Sequence, residues 1–229
     1  MHGTKLQAPS IITTLVIGLL GVSAASLPGC QSQPPVVSIR EDADWHFSRG
    51  EFGEAAEKYA EITARWPEDW QAQYKLGLSL TELDRLSEAN RALEVAYSLR
   101  PRDPDVADAL AEVMYRQDEE TRLFTFLRAD AEASQSVRSQ MRLAKYAEKV
   151  SDLDGAKVAL ETAIEFDDGK TVDPYLQCAE LYERLGDREQ AVRRLKQAYG
   201  INPKDPRVLA KLESFGEVPG PTLALPPGR

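Results

Sequence analysis

Hydrophobic residues fall along this chain in two ways. Residues 11–25, IITTLVIGLLGVSAA, form one apolar run without a charge. Beyond it the apolar positions are spaced, and the spacing returns. GEFGEAAEKYAEITARWP (50–67), DRLSEANRALEVAYSLRP (84–101), SDLDGAKVALETAIEFDD (151–168) and GDREQAVRRLKQAYGINP (186–203) share one plan. Each opens on a turn, places Ala five residues on (Ala55, Ala89, Ala156, Ala191) and a bulky residue four after that. Three of the four end in Pro twelve residues after the Ala. Upstream, small residues recur at Ala43, Gly77, Ala111, Ala144 and Ala179, at spacings of 34, 34, 33 and 35. Leu76, Leu110, Leu143 and Cys178 directly precede the last four. A period of this length predicts stacked helix pairs, each of which buries its apolar face only against its neighbours.

The third unit departs from the plan. Ala111 keeps its first helix in register, but DEETRLFTFLRADAEAS (118–134) shows neither the Ala nor the closing Pro. Leu123, Phe124, Phe126 and Leu127 form an apolar stripe at helical spacing, which reads as repacked core in preference to an exposed partner patch. DPRVLAKLESF (205–215) predicts a closing helix, with Val208, Leu209, Leu212 and Phe215 as its apolar face. GEVPGPTLALPPGR (216–229) is too rich in Pro and Gly to continue it and is expected to be a disordered tail.

These paired segments resemble the tetratricopeptide repeat, a helix–turn–helix unit whose two helices cross at small residues. The resemblance covers about 36–203. It implies an all-α fold: a right-handed α-solenoid of five helix pairs with a C-terminal capping helix, over residues 39–215. The register places Cys178 in the core as a small apolar group. The family presents a groove lined by the first helices of its pairs, which takes a peptide or a helix. Carried over position by position, that groove comprises Arg40, Asp44 and Phe47, then Tyr74 and Leu78, then Asp108, Glu112 and Tyr115, then Met141 and Lys145, then Leu176 and Glu180. Chaperone-binding members grip a C-terminal carboxylate with Asn in two repeats. Asp44, Leu78, Glu112, Lys145 and Glu180 hold those places here, so that clamp is not expected.

The apolar run is near 15 residues, short of the roughly 20 a spanning helix needs, and Lys5 supplies a positive charge before it. It reads as an export signal. Leu27, Gly29 and Cys30 resemble a bacterial lipobox, although Pro28 departs from the small or β-branched residue usual at its position. The resemblance implies a signal peptide over 1–29, lipid on Cys30 and a tether over 30–38. The eight residues QSQPPVVS reach at most about 28 Å. Cleavage after Ala25 would instead leave a soluble exported protein. Gln31 after the lipidated Cys points to the outer membrane, facing the periplasm, under the sorting rule of enteric bacteria.

Charge and residue inventory narrow the function. With 28 basic against 37 acidic residues the formal charge is −9, which argues against binding to nucleic acid through a basic patch and means that any membrane attachment comes from something other than charge, lipid or an uncleaved anchor helix. Two cysteines and two histidines show no metal-ligand spacing, and nucleophile and phosphate-loop motifs are absent. The sequence therefore predicts no enzyme, no cofactor and no metal, but an envelope adaptor or assembly scaffold, pilotin-like among other roles, with a regulatory subunit of an envelope enzyme as the alternative from another class. Its partner is expected to be a protein that offers a peptide or helix.

Overall fold

The computed structural model describes residues 2–3 and 34–228. The chain divides into two units, Met1–Pro34 and Pro35–Arg229, and everything below concerns the second. The signal peptide, Cys30 and Gln31 lie outside the described residues. Among the described residues there are eleven helices, none long and apolar enough to cross a membrane. They are α1 (Val36–Ser48), α2 (Phe52–Arg65), α3 (Trp70–Glu82), α4 (Leu86–Leu99), α5 (Pro104–Arg116) and α6 (Glu120–Ser134). After these come α7 (Val137–Lys149), α8 (Leu153–Asp167), α9 (Asp173–Arg184), α10 (Arg188–Ile201) and α11 (Pro206–Ser214). Successive helices pair as α1/α2 through α9/α10, α11 closes the stack, and the fold is an all-α solenoid. Helix α1 starts three residues ahead of the expected boundary at 39, directly after Pro35.

Each pair is hinged by one residue in the left-handed region. These are Gly50, Asp84, Asp118, Ser151 and Gly186, with φ between 58° and 76°, and they follow the small residue of the first helix by seven positions every time. Gly adopts this conformation without strain, whereas Asp and Ser bring a Cβ into contact with the backbone. The small residues themselves are buried at the crossings: Ala43, Ala55, Ala89, Ala111, Ala144, Ala156 and Ala191 have no exposed surface. At Gly77 even a methyl group is too large, since a Cβ there would lie 2.5 Å from Leu93 Cγ.

Counting five residues from Asp118 shows how the third pair departs. Leu123 takes the place of the crossing Ala and is 1 % exposed, with Phe124 and Leu127 buried beside it. Phe126 is half-buried and packs edge-on against Tyr97, at 5.2 Å between centroids. The stripe is core, as the sequence suggests. Helix ends also sort by sequence. The three Pro-terminated second helices, α2, α4 and α10, have 14 residues each, and the residue before Pro leaves the helical region in each, with ψ between 71° and 93°, since a following Pro disfavours the helical conformation. The two without Pro, α6 and α8, run to 15 residues and end on left-handed caps at Gln135 and Asp168. Asp69, Asp103, Ser136, Asp152, Asp187 and Asp205 cap helix N-termini through their side chains.

The C-terminal segment differs from expectation. Residues 223–228 are not a free tail but lie against α9 and α10, with the Leu225 N–H donating to the Lys196 carbonyl (3.1 Å), the Gly228 N–H to the Tyr175 hydroxyl (3.3 Å) and Leu223 packed on the core. Pro and Gly prevent a helix there, yet the irregular backbone still offers carbonyls to buried donors on α10. Cys178 is a free thiol without exposed surface, and burial pushes its pKa up to about 11. It stays protonated and behaves as a small apolar side chain.

The fourth pair offers a test in which two neighbouring substitutions act in opposite directions. Ser151→Gly relieves a left-handed Ser and raises stability by about 1 kcal/mol. Ala156→Leu overfills the α7/α8 crossing and lowers it by about 1–3 kcal/mol. Denaturant melts of both variants check the register, and a stable Ala156→Leu protein would refute it.

Candidate functional site

The first helices of the pairs, with α11, line two clefts. The smaller, about 310 Å³, lies among α1, α3 and α5 and is bordered by Arg40, Asp44, Tyr74 and Lys75, with Trp70 and Asp105 at its edge. Asp44 accepts hydrogen bonds from the Tyr59 hydroxyl and the Lys75 ammonium, both at 2.5 Å. Burial pushes the Asp44 carboxyl up, but these two donors outweigh it and hold its pKa below the ordinary aspartate value. Arg40 is paired with Asp69.

The larger cleft, about 870 Å³, is bordered by α5, α7, α9 and α11. Arg138 marks its boundary with the first, since its guanidinium donates to Asp105 (2.6 Å) and to Asp108 (2.5 Å). Six basic side chains line it: Arg138, Arg142, Lys145, Lys149, Arg184 and Lys211. Four acidic ones face them: Asp108, Glu148, Glu180 and Glu183. This excess of base stands out in a chain of charge −9. Met141 supplies the apolar element between Arg138 and Lys145.

Most of these charges are tied across neighbouring repeats. Arg142 reaches Asp108 at 2.5 Å and Asp130 at 2.5 Å, and donates to the Pro104 carbonyl at 3.0 Å. Its side chain is 4 % exposed, and that of Asp130 3 %. Arg184 pairs with Glu148, and Lys211 with Glu183 at 2.5 Å. Glu112 accepts from the Tyr146 hydroxyl (2.9 Å) and from Lys149 (3.3 Å), with Lys145 3.7 Å away. Burial pushes the Glu112 pKa up, but these donors overcome it, and the net shift is below the ordinary glutamate value. The Tyr146 hydroxyl moves the other way, raised by burial and by the carboxylate it donates to. Lys145, 57 % exposed at its side chain, is the most open cation among these pairs. Glu180 lies outside them.

Seven of the twelve expected groove residues line a cleft: Arg40, Asp44 and Tyr74 the smaller, Asp108, Met141, Lys145 and Glu180 the larger. Glu112 joins them through its bonds to Tyr146 and Lys149. Tyr115 is half-buried, with the Lys149 ammonium 4.1 Å from its ring centroid and the Tyr146 ring 5.6 Å away. Phe47 and Leu78 line neither cleft. Phe47 packs its edge on Phe52 and Tyr59, within the core of the first pair. Leu176 is a correction: it is 6 % exposed and belongs to the buried cluster that continues into Val208 and Leu212 of α11. An apolar side chain next to the closing helix is drawn into the core, and Gln177 takes its place in the cleft.

The sequence reading left Arg142, Arg184 and Lys211 out of the groove. Their signal lay in charge spacing, because their acidic partners stand about one repeat away: Asp108 34 residues before Arg142, Glu148 36 before Arg184, and Glu183 28 before Lys211. Among the described residues no group of three or more His, Cys, Asp or Glu is placed to hold a metal.

Comparison with known proteins agrees with this architecture. The family model for the tetratricopeptide repeat matches residues 43–107 and 172–212. The chain carries tetratricopeptide repeats. The two matches leave out the span that contains Leu123 and the extended α6 and α8. No curated relative matches by sequence. Among solved structures, a MamA protein is similar at 20 % identity and a TM-score of 0.57, over 78 % of this chain and 95 % of its own. MamA from Desulfovibrio magneticus RS-1 (residues 41 to the end) gives 16 % identity and 0.58, over 75 % and 97 %. YrrB, described as a tetratricopeptide-repeat protein with an unusual peptide-binding site, gives 18 % and 0.52, over 78 % and 92 %. At these identities the likeness is one of fold.

The Glu112 pair gives a pH signature. A carboxylate with a lowered folded pKa stabilises above its unfolded value, near 4.5, and this contribution is lost as pH falls through the folded value. The parent should therefore lose more melting temperature between about pH 5 and pH 3 than Glu112→Gln does. Parallel melts at the two pH values measure the difference, and equal losses would contradict it.

Proposed function

We propose that this protein is a lipid-anchored adaptor of a bacterial envelope, held on the periplasmic side of the outer membrane, and that it binds a segment of a protein partner in the larger cleft. The observation that carries the binding reading is that cleft: about 870 Å³, with six basic and four acidic side chains around Met141. A helix or extended segment with an apolar anchor and acidic flanks fits it, since buried apolar contacts supply affinity and charge sets register. The fold supports a protein-binding role, and the peptide-binding site described for YrrB, a protein of similar fold, is consistent with it. An adaptor that assembles or stabilises an envelope complex, in the manner of a pilotin or an assembly factor, needs nothing beyond such a groove and an anchor.

Partner capture from detergent-solubilised envelopes, followed by titration, tests the groove. Met141→Ala and Lys145→Glu should each weaken the captured partner by about 1–2 kcal/mol with unchanged circular dichroism. Parent-like affinity for the double variant would place the partner elsewhere.

The anchor is tested separately. Cys30→Ala should abolish metabolic acyl labelling and move the protein out of the mature membrane fraction, because stable attachment needs the acyl chains. Labelling that persists in Cys30→Ala rules out lipid at this residue, and a soluble parent protein favours cleavage after Ala25.

A further inference from the structure

Arg194 and Gln197 lie on α10, each with 3 % of its surface exposed. Burying a guanidinium is costly unless its donors are used, and those of Arg194 are used except Nε, which is buried without a hydrogen-bond partner. Arg194 lies 3.8 Å from Glu161, and its Nη1 donates to Gln197 Oε1 (3.0 Å) and to the Gly228 carbonyl (2.9 Å). Gln197 Nε2 donates to the carbonyls of Pro226 (3.1 Å) and Gly228 (2.9 Å). In return the Gly228 N–H donates to the Tyr175 hydroxyl (3.3 Å), and the Leu225 N–H to the Lys196 carbonyl (3.1 Å). On the tail side every one of these bonds is made by backbone. What is recognised is the course of the backbone, which bends at Pro227 and Gly228.

Two glycines leave room for it. A Cβ on Gly200, inside α10, would lie 2.4 Å from the Leu225 carbonyl oxygen. A Cβ on Gly169 would lie 2.5 Å from the Pro227 ring. Glycine is disfavoured within a helix, and close backbone approach is the reason to place one at 200. The ligand chemistry follows from the bonds. Pro226 and Pro227 have no N–H to leave unsatisfied, and their fixed φ limits the freedom of the chain there, while Gly228, at φ 130°, takes a conformation that Gly alone adopts readily and turns its carbonyl toward Arg194 and Gln197. The connection from α11, residues 216–222, is tied mainly by the Lys196–Glu217 ion pair (3.0 Å), and Val218 within it is 82 % exposed.

We propose that this α9–α10 face is a recognition site for proline-containing protein segments that end on Gly, occupied in cis by Leu225–Gly228 and open to a partner's Leu-Pro-Pro-Gly segment that displaces the tail. It is distinct from the larger cleft, with which it shares no lining residue. The connection over 216–222 keeps the tail at a local concentration in the millimolar range, so a partner competes with a weak intramolecular ligand.

The test uses the full chain with residues 221–229 replaced by a Gly/Ser sequence of equal length, and as probe a labelled peptide of sequence TLALPPGR. The probe should bind the replaced-tail chain saturably, and the parent on the order of ten-fold more weakly, because the parent's site is filled. Gly200→Val in the replaced-tail chain should abolish binding at unchanged helical content. If that variant loses helicity, Gln197→Ala, which removes both amide donors to the tail, serves the same comparison. No saturable binding up to about 5 mM peptide, or equal binding to the replaced-tail chain and its Gln197→Ala variant, would overturn the proposal and leave the tail a fixed closing piece of the fold.

Discussion

The two helices of each pair approach so closely that, in four of the five pairs, neither brings a side chain larger than a methyl group to the crossing. Ala43 with Ala55, Gly77 with Ala89, Ala144 with Ala156 and Ala179 with Ala191 are buried there. The rest of the architecture follows from that approach. Close crossing fixes the angle of a pair, the left-handed residue seven positions later makes the return tight, and identical pairs then stack with a constant step. A constant step puts every first helix on the same side, and the clefts lie there. Bulky residues four positions after the second-helix Ala (Tyr59, Leu93, Leu160 and Leu195) have no exposed surface and fill the space behind the crossing.

The third pair keeps its place in the stack by other means. Leu123 at the crossing does not permit the same approach, and a buried polar network is found there instead. Asp130 of α6 accepts from Arg142 of α7 (2.5 Å) and from the Tyr97 hydroxyl of α4 (2.7 Å), while Arg142 also holds Asp108 and the Pro104 carbonyl of α5. Four helices thus meet on one ion pair. Such a pair contributes little net stability over an apolar replacement, because desolvation offsets its attraction, yet breaking it leaves a buried charge at a cost of about 3–5 kcal/mol. Its geometric demands fix register where side-chain size no longer does.

How much of this could be read from the sequence depended on which physical rule left a mark in residue type. Steric limits do so directly: only Ala or Gly fits the crossing, so Ala43, Gly77, Ala111, Ala144 and Ala179 gave the repeat away. The left-handed turn leaves a weaker mark, because Asp118 and Ser151 stand where Gly50 and Gly186 do, at a conformational cost the chain tolerates. That is why the second helix of the third pair escaped registration until Asp118 placed Leu123. Burial at a closing end is set by a distant helix, so Leu176 looked like a groove residue while packing in the cluster that includes Val208 and Leu212. The tail was misread for another reason. Pro and Gly speak against helix and strand, but they do not speak against backbone carbonyls meeting Arg194 and Gln197. Within the groove, Asp108, Met141, Lys145 and Glu180 followed from position alone, whereas Arg142, Arg184 and Lys211 required pairing charges one repeat apart.

That pairing also decides which groove charges are free to act on a partner. Arg142 is committed, since withdrawing it from Asp130 would strand a buried carboxylate. Lys145 and Arg138 are half-exposed or more, and exposed ion pairs are worth only about 0–1 kcal/mol. A carboxylate arriving on a partner segment can therefore take over Lys145 from Glu112, or share Arg138 with Asp105, at small cost, while Lys149 and Tyr146 continue to hold Glu112. Repeat stacking and the proposed partner binding would thus draw on the same row of charges but on different members of it. The buried members keep the first helices in register, and under the proposed function the exposed ones exchange their partners, so a binding surface can be built from charges without loosening the solenoid that displays them.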